Sequence, residues 1–119
     1  MQKRVIKSYS TKYNNPLVLK KGDMVKLGVE EKEEKWRGWI WATLGNISGW
    51  IPKQIVGTID ENNGIISEDF SAKELNVTDG EFVIPVVELN GWLWVRSSWT
   101  CEEGWIPKEN VESLKMDHY

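Results

Sequence analysis

Apolar and polar positions alternate along this chain in short runs, and nowhere do apolar residues recur at a helical period. In GWIWAT (38–43), Ile40 and Ala42 fall on one face, and Trp39 and Trp41 on the other. In GWLWVRS (91–97), Leu93 and Val95 oppose Trp92 and Trp94. Period-two alternation over so few residues predicts half-buried strands. LGNISG (44–49) has turn chemistry, so 38–43 and 48–52 are expected to form a hairpin. SSWTCEE plays the same part in the second half, two residues longer. GDMVKLGV and GEFVIPVV begin at Gly and are rich in β-branched residues, which also predicts strands. Pro52 and Pro107 should end their strands, because proline offers no ladder donor. KQI and KEN after them are expected to make one 3₁₀ turn before a last brief strand at Val56 and Val111.

The same blocks occur twice in the same order. GWIPKQIV (49–56) is matched by GWIPKENV (104–111), GWIWA by GWLWV, and LVLKKGDMVKL (17–27) by LNVTDGEFVIP (75–85). An ordered recurrence of this kind is an internal duplication. It divides the 119 residues into two expected domains, 1–57 and 58–119, the second with a short C-terminal tail. Units of this size bury limited apolar surface, and the eight Trp would supply much of the bulk. In each octet Ile should point to the core and the Trp before it outward. Trp39, Trp41 and Trp50 would then share one outer face, as would Trp92, Trp94 and Trp105. Apolar patches of that size call for something to cover them.

Short strands, a Gly-acid start, a Trp-rich hairpin and a Gly-x-Ile-Pro-x-x-x-Val end resemble the Src homology 3 (SH3) family. VIKSY (5–9) sits where that family has Ala-Leu-Tyr-Asp-Tyr. GWIPKQIV sits where it has Gly-Tyr-Ile-Pro-Ser-Asn-Tyr-Val. SEDFSAKELNV (67–77), GWLWV and GWIPKENV repeat the set. The resemblance implies an all-β protein of two tandem five-stranded barrels, each with a shallow aromatic groove for proline-rich peptides. Carried over position by position, it implies a first groove of Tyr9, Trp39, Trp50 and Pro52, and a second of Phe70, Trp92, Trp105 and Pro107. Several positions depart from the pattern. Lys7 stands where the family has its first groove Tyr, and Ile55 and Asn110 stand at its last groove Tyr. The first long loop, STKYNNP, lacks the acids that hold a ligand Arg or Lys, whereas SEDFSAKE carries Glu68, Asp69 and Glu74. The first barrel is therefore expected to bind such peptides more weakly than the second.

The chemistry-bearing residues argue against an enzyme. His118, the only histidine, lies one residue from the end of the sequence, and Cys101, the only cysteine, falls in a predicted hairpin loop. No Cys/His cluster for zinc, phosphate loop or calcium-loop spacing occurs, so neither metal nor cofactor is expected. EEKEEK (30–35) mixes charge signs and is expected to be a solvated loop. No run reaches the roughly 18 apolar residues of a membrane span. MQKRVIKSYS has basic residues without an apolar run behind them, so no secretory signal is expected. With a lone cysteine, these points favour a cytoplasmic protein.

Charge separates the halves. Residues 1–57 hold 11 basic and 5 acidic residues, net +6; residues 58–119 hold 4 and 13, net −9. GTIDENNG (57–64) looks like a short linker, and oppositely charged units so tethered are expected to dock, burying Trp41 or Trp94. The basic half interleaves Lys and Arg with Tyr and Trp, but the acidic half would repel phosphate, which disfavours nucleic acid. The expected function is non-enzymatic binding of a protein or proline-rich peptide through aromatic patches. The alternative is a structural or regulatory pair whose Trp faces pack between barrels or in a homo-oligomer.

Overall fold

The computed structural model describes residues 1–112. Its strands are β1 Lys3–Arg4, β2 Val18–Leu19, β3 Met24–Glu30, β4 Trp39–Leu44, β5 Ile47–Pro52, β6 Val56–Asp60, β7 Asn63–Ile66, β8 Phe70–Ser71, β9 Phe82–Leu89, β10 Trp92–Ser97 and β11 Glu103–Pro107. Three single turns of 3₁₀ helix join them, at Glu34–Trp36, Lys53–Ile55 and Lys108–Asn110. Both predicted Trp hairpins form. Trp39 faces Pro52 and Trp41 faces Trp50 across β4–β5, while Trp92 faces Pro107 and Trp94 faces Trp105 across β10–β11. Both turns after the prolines are 3₁₀, as proline's missing donor and fixed φ favour.

The chain divides into two compact units, but not at the boundary between the repeats. Tyr13–Lys73 form one contiguous unit; Met1–Lys12 together with Glu74 onward form the other, which we call the split unit. The expected division into 1–57 and 58–119 is thus corrected at both ends. The first strand of each repeat completes the other repeat's barrel. β1 pairs with β9, Val5 bridges to Val111, and Tyr9 bridges to Val77, all within the split unit. β7 pairs with both β3 and β6, and β8 with β2, all within the contiguous unit.

The cause lies in the segment expected to be a linker. GTIDENNG is a hairpin: only Glu61 and Asn62 separate β6 from β7. Asp60 fixes the turn, its carboxylate accepting from the Asn62 N–H at 2.8 Å and from Asn63 Nδ2 at 3.0 Å. Asp and Asn favour such turns because their short side chains bond the backbone just ahead. A two-residue connection commits the next strand to pair with the strand it has just left. Because β6 is the last strand of the first repeat, β7 closes that repeat's barrel, and the N-terminal strand closes the other.

Each core accordingly takes one residue from the opposite repeat. Ile66, 1% exposed, packs among Leu17, Leu19, Ile40 and Ile51 in the contiguous unit. Val5, fully buried, packs among Val83, Leu93, Val95 and Ile106 in the split unit. The two are structurally equivalent. Val5 N donates to Glu81 O and Val5 O accepts from Gly80 N; Ile66 N donates to Asp23 O and Ile66 O accepts from Gly22 N. The recurring Gly-acid pair is therefore a barrel-building device. Gly22 and Gly80 turn the chain at φ 94° and 96°. The acid after each accepts from the head of its own turn, Asp23 from Lys20 N at 2.9 Å and Glu81 from Thr78 N at 3.0 Å. Glu81 is buried, and its second oxygen accepts from Ser97 Oγ.

The exchange also removes the charge contrast between the halves. The contiguous unit holds 8 basic and 9 acidic residues, net −1, and the split unit 7 and 9, net −2. The opposite charge on which docking was expected is not carried by the compact units.

Candidate functional site

The eight residues singled out from the sequence fall into two groups of four, but with Tyr9 and Phe70 interchanged. In the split unit the ring of Tyr9 stands edge-on to Trp92, 5.8 Å between centroids at 83°. In the contiguous unit Phe70 lies against Trp39 at 6.4 Å and 53°. One group is thus Tyr9, Trp92, Trp105 and Pro107, and the other Phe70, Trp39, Trp50 and Pro52. The aromatic of the first strand was expected beside the Trp of its own repeat, and the strand exchange overturns that. Counting two residues on from the equivalent Val5 and Ile66 places Lys7 in the split unit where Glu68 stands in the contiguous one. Glu68 and Asp69 therefore belong with Trp39, and Lys7 with Trp92, reversing their expected assignment, while Glu74 stays in the split unit with Trp92.

Within the split unit the group is held firmly. The Tyr9 hydroxyl donates to Glu74 Oε1 at 2.6 Å, and Leu75 N donates to Trp105 O at 3.0 Å. Trp94 meets Trp105 edge-on at 5.4 Å, and its Nε1 donates to Glu103 at 2.8 Å. Asn110, 3% exposed, donates through Nδ2 to the carbonyls of Lys7 and Ser8. It clamps the backbone of the borrowed strand and does not line an open surface. Glu103 and the clamping role of Asn110 were not foreseen. The one clue in the chain is that Asn110 breaks the octet where the other copy has Ile55.

In the contiguous unit Trp41 meets Trp50 edge-on at 5.1 Å, and Tyr13 lies 6.3 Å from Trp41. Asp69 accepts from Lys21 N at 2.8 Å, so this acid holds the turn that leads into β3. A further equivalence links the units: Lys53 pairs with Glu30 at 2.9 Å, and Lys108 with Glu88 at 2.8 Å.

The indole faces are better covered than the alternation suggested. Trp39 is 6% and Trp105 7% exposed, which corrects their expected outward exposure. Trp41, Trp50, Trp92 and Trp94 are half-buried. Cross-strand pairing of large rings covers much of each face with its neighbour. The Trp most open to solvent is Trp99, 63% exposed in the loop between β10 and β11.

A family model described as a variant SH3 domain matches residues 3–59. Over these residues the chain is similar to variant SH3 domains. The matched segment is one repeat in linear order, yet it contributes to both compact units: its first strand seats in the split unit and the remainder in the contiguous one. No curated protein and no solved structure matches the chain. Similarity to variant SH3 domains suggests an interaction module. Among the described residues no three His, Cys, Asp or Glu side chains are grouped to hold a metal ion, and no helix is long and apolar enough to cross a membrane. Cys101 is exposed, and His118 lies outside the described residues.

Proposed function

We propose that the protein is a non-catalytic module that binds extended, proline-rich peptides, and that its principal groove is the one built from Tyr9, Trp92, Trp105 and Pro107. The observation that carries this reading is the Tyr9–Trp92 edge-on pair, with Pro107 facing Trp92 across β10–β11. Flat aromatic rings suit the ridge of a polyproline helix, which loses little entropy on binding. The hydrogen bond to Glu74 fixes the Tyr9 ring in advance, which lowers the ordering cost of association. Trp92 is half-buried and offers a face to a ligand, whereas its counterpart Trp39 is buried. The structural alternative, Trp as packing, fits Trp39 and Trp105 best.

The test is titration of a proline-rich peptide set into the ¹⁵N-labelled chain. Peptides should shift Tyr9 and Trp92, and Trp92→Ala should weaken binding by at least about 2 kcal/mol, roughly thirty-fold in Kd, with the fold retained. Undiminished binding by Trp92→Ala, or shifts confined to the Trp39 group, would refute the assignment.

A further inference from the structure

We infer that a second copy of this chain can supply residues 1–12 to the split unit, so that the protein forms strand-exchanged dimers in which Tyr9 of one copy completes the Trp92 groove of the other.

The argument begins with how this strand is held. Residues 1–12 join the split unit through noncovalent contacts alone: the β1–β9 pairing, the Val5–Val111 and Tyr9–Val77 bridges, the Arg4–Glu112 pair, and the Thr11 N–H bond to Asn76 Oδ1 at 2.7 Å. Their covalent tie runs the other way, through Lys12–Tyr13 into the contiguous unit. The strand is therefore already donated across a unit boundary, and nothing in its seat depends on which copy donates it. The seat recognises a buried Val5, backbone donors and acceptors, and the Lys7 and Ser8 carbonyls taken by Asn110. The main internal competitor is β7 with β8, whose Ile66 does the work of Val5. It is tied to β6 by the two-residue turn Glu61–Asn62 and cannot leave without opening that hairpin. The seat is thus left to an N-terminal strand.

Tethering favours the strand of the same chain, at an effective concentration on the order of millimolar. Exchange between copies has the same contacts available, so it competes when chains fold together at high concentration, and the product persists because reversal requires unseating Val5. The consequence for recognition is specific: one groove of the dimer carries Tyr9 from one copy and Trp92 from the other.

Complementation between two full-length variants tests this. Val5→Asp places a charge at a fully buried position and unseats the strand while leaving its seat intact. Gly104→Val damages the seat, since even a Cβ there would lie 2.9 Å from Leu75 N, but leaves the strand intact. Each variant alone should lack the near-ultraviolet circular dichroism of packed Trp from the split unit. Refolded together, they should form a species of two-chain mass that recovers about half of that signal. A mixture that stays monomeric with no recovery overturns the inference. If Val5→Asp precipitates, differently tagged wild-type chains refolded together at high concentration serve instead. Heterodimers on tag capture support the exchange, and their absence overturns it. Because these readouts are mass and Trp packing, the outcome is independent of whether the groove binds proline-rich peptides.

Discussion

Tyr9 and Trp92 meet edge-on, 5.8 Å apart, although they come from different sequence repeats. Each would have been assigned by linear order to a different barrel. The contact exists because the chain sends its first strand past its own repeat to the next. The same exchange sets Phe70 against Trp39. Both aromatic groups are thus composite, and neither forms from one repeat alone.

Burial separates the two equivalent tryptophans. Trp39 is 6% exposed, so Trp39→Ala should leave a cavity and destabilise the contiguous unit by about 3–5 kcal/mol. Half-buried Trp92 truncated in the same way should cost the split unit roughly 1–2 kcal/mol. Urea unfolding followed by indole NMR signals of each unit checks the order. Equal losses would mean that the two environments do not differ as described.

The glycine that opens each octet differs in what surrounds it. A Cβ at Gly104 would lie 2.9 Å from Leu75 N and 3.0 Å from the Glu74 carbonyl carbon, both backbone atoms that cannot swing aside. A Cβ at Gly49 would meet the Leu17 Cβ at 3.3 Å, a milder crowding. Gly104→Ala should therefore destabilise by about 2–3 kcal/mol and Gly49→Ala by about 1 kcal/mol or less, measured by denaturant midpoints. The reverse order would count against the close packing of residues 74–75 on β11.

Asp60 makes the exchange hairpin sensitive to acid. The Asn62 N–H first, and then the Asn63 side chain, hold its carboxyl below the ordinary 3.8. A carboxyl depressed on folding contributes stability above its unfolded pKa, and that contribution disappears as pH falls through the folded value. The wild-type hairpin should thus weaken below about pH 4. Asp60→Asn should flatten this part of the profile, as read by amide exchange in β6 and β7 between pH 5 and 2. An identical slope in the variant would remove Asp60 as the cause.

Much of the architecture is written locally and can be read from the chain. The Trp hairpins follow from period-two alternation around Gly45 and in the longer second loop, and the 3₁₀ turns follow from Pro52 and Pro107. The core positions of Ile40, Ala42, Leu93 and Val95 were legible for the same reason. Partner choice was not, because it depends on a competition between distant strands decided by two residues, Glu61 and Asn62. Asp60 and Asn63 carry turn chemistry, but a turn and a short linker look alike until the strands on both sides are known to pair. Misplacing that hairpin misassigned Tyr9, Phe70, Lys7 and Glu68 together. The burial of Trp39 and Trp105 was hidden for a related reason. Alternation gives the face on which a side chain lies, while cover from a neighbouring ring or strand comes from the tertiary fold.

The central claim is that residues 1–12 complete the barrel of Trp92 and not that of Trp39. The most direct measurement is the indole region of the ¹H–¹⁵N spectrum of Val5→Asp against wild type, with all eight Trp signals assigned. Four of these residues, Trp36, Trp39, Trp41 and Trp50, lie in the contiguous unit, and Trp92, Trp94, Trp99 and Trp105 lie in the split unit. The strand exchange predicts that Trp92, Trp94 and Trp105 lose their native shifts while Trp39, Trp41 and Trp50 keep theirs. Loss of the Trp39, Trp41 and Trp50 signals with the other set retained would show that each repeat closes on its own first strand, and would contradict the account.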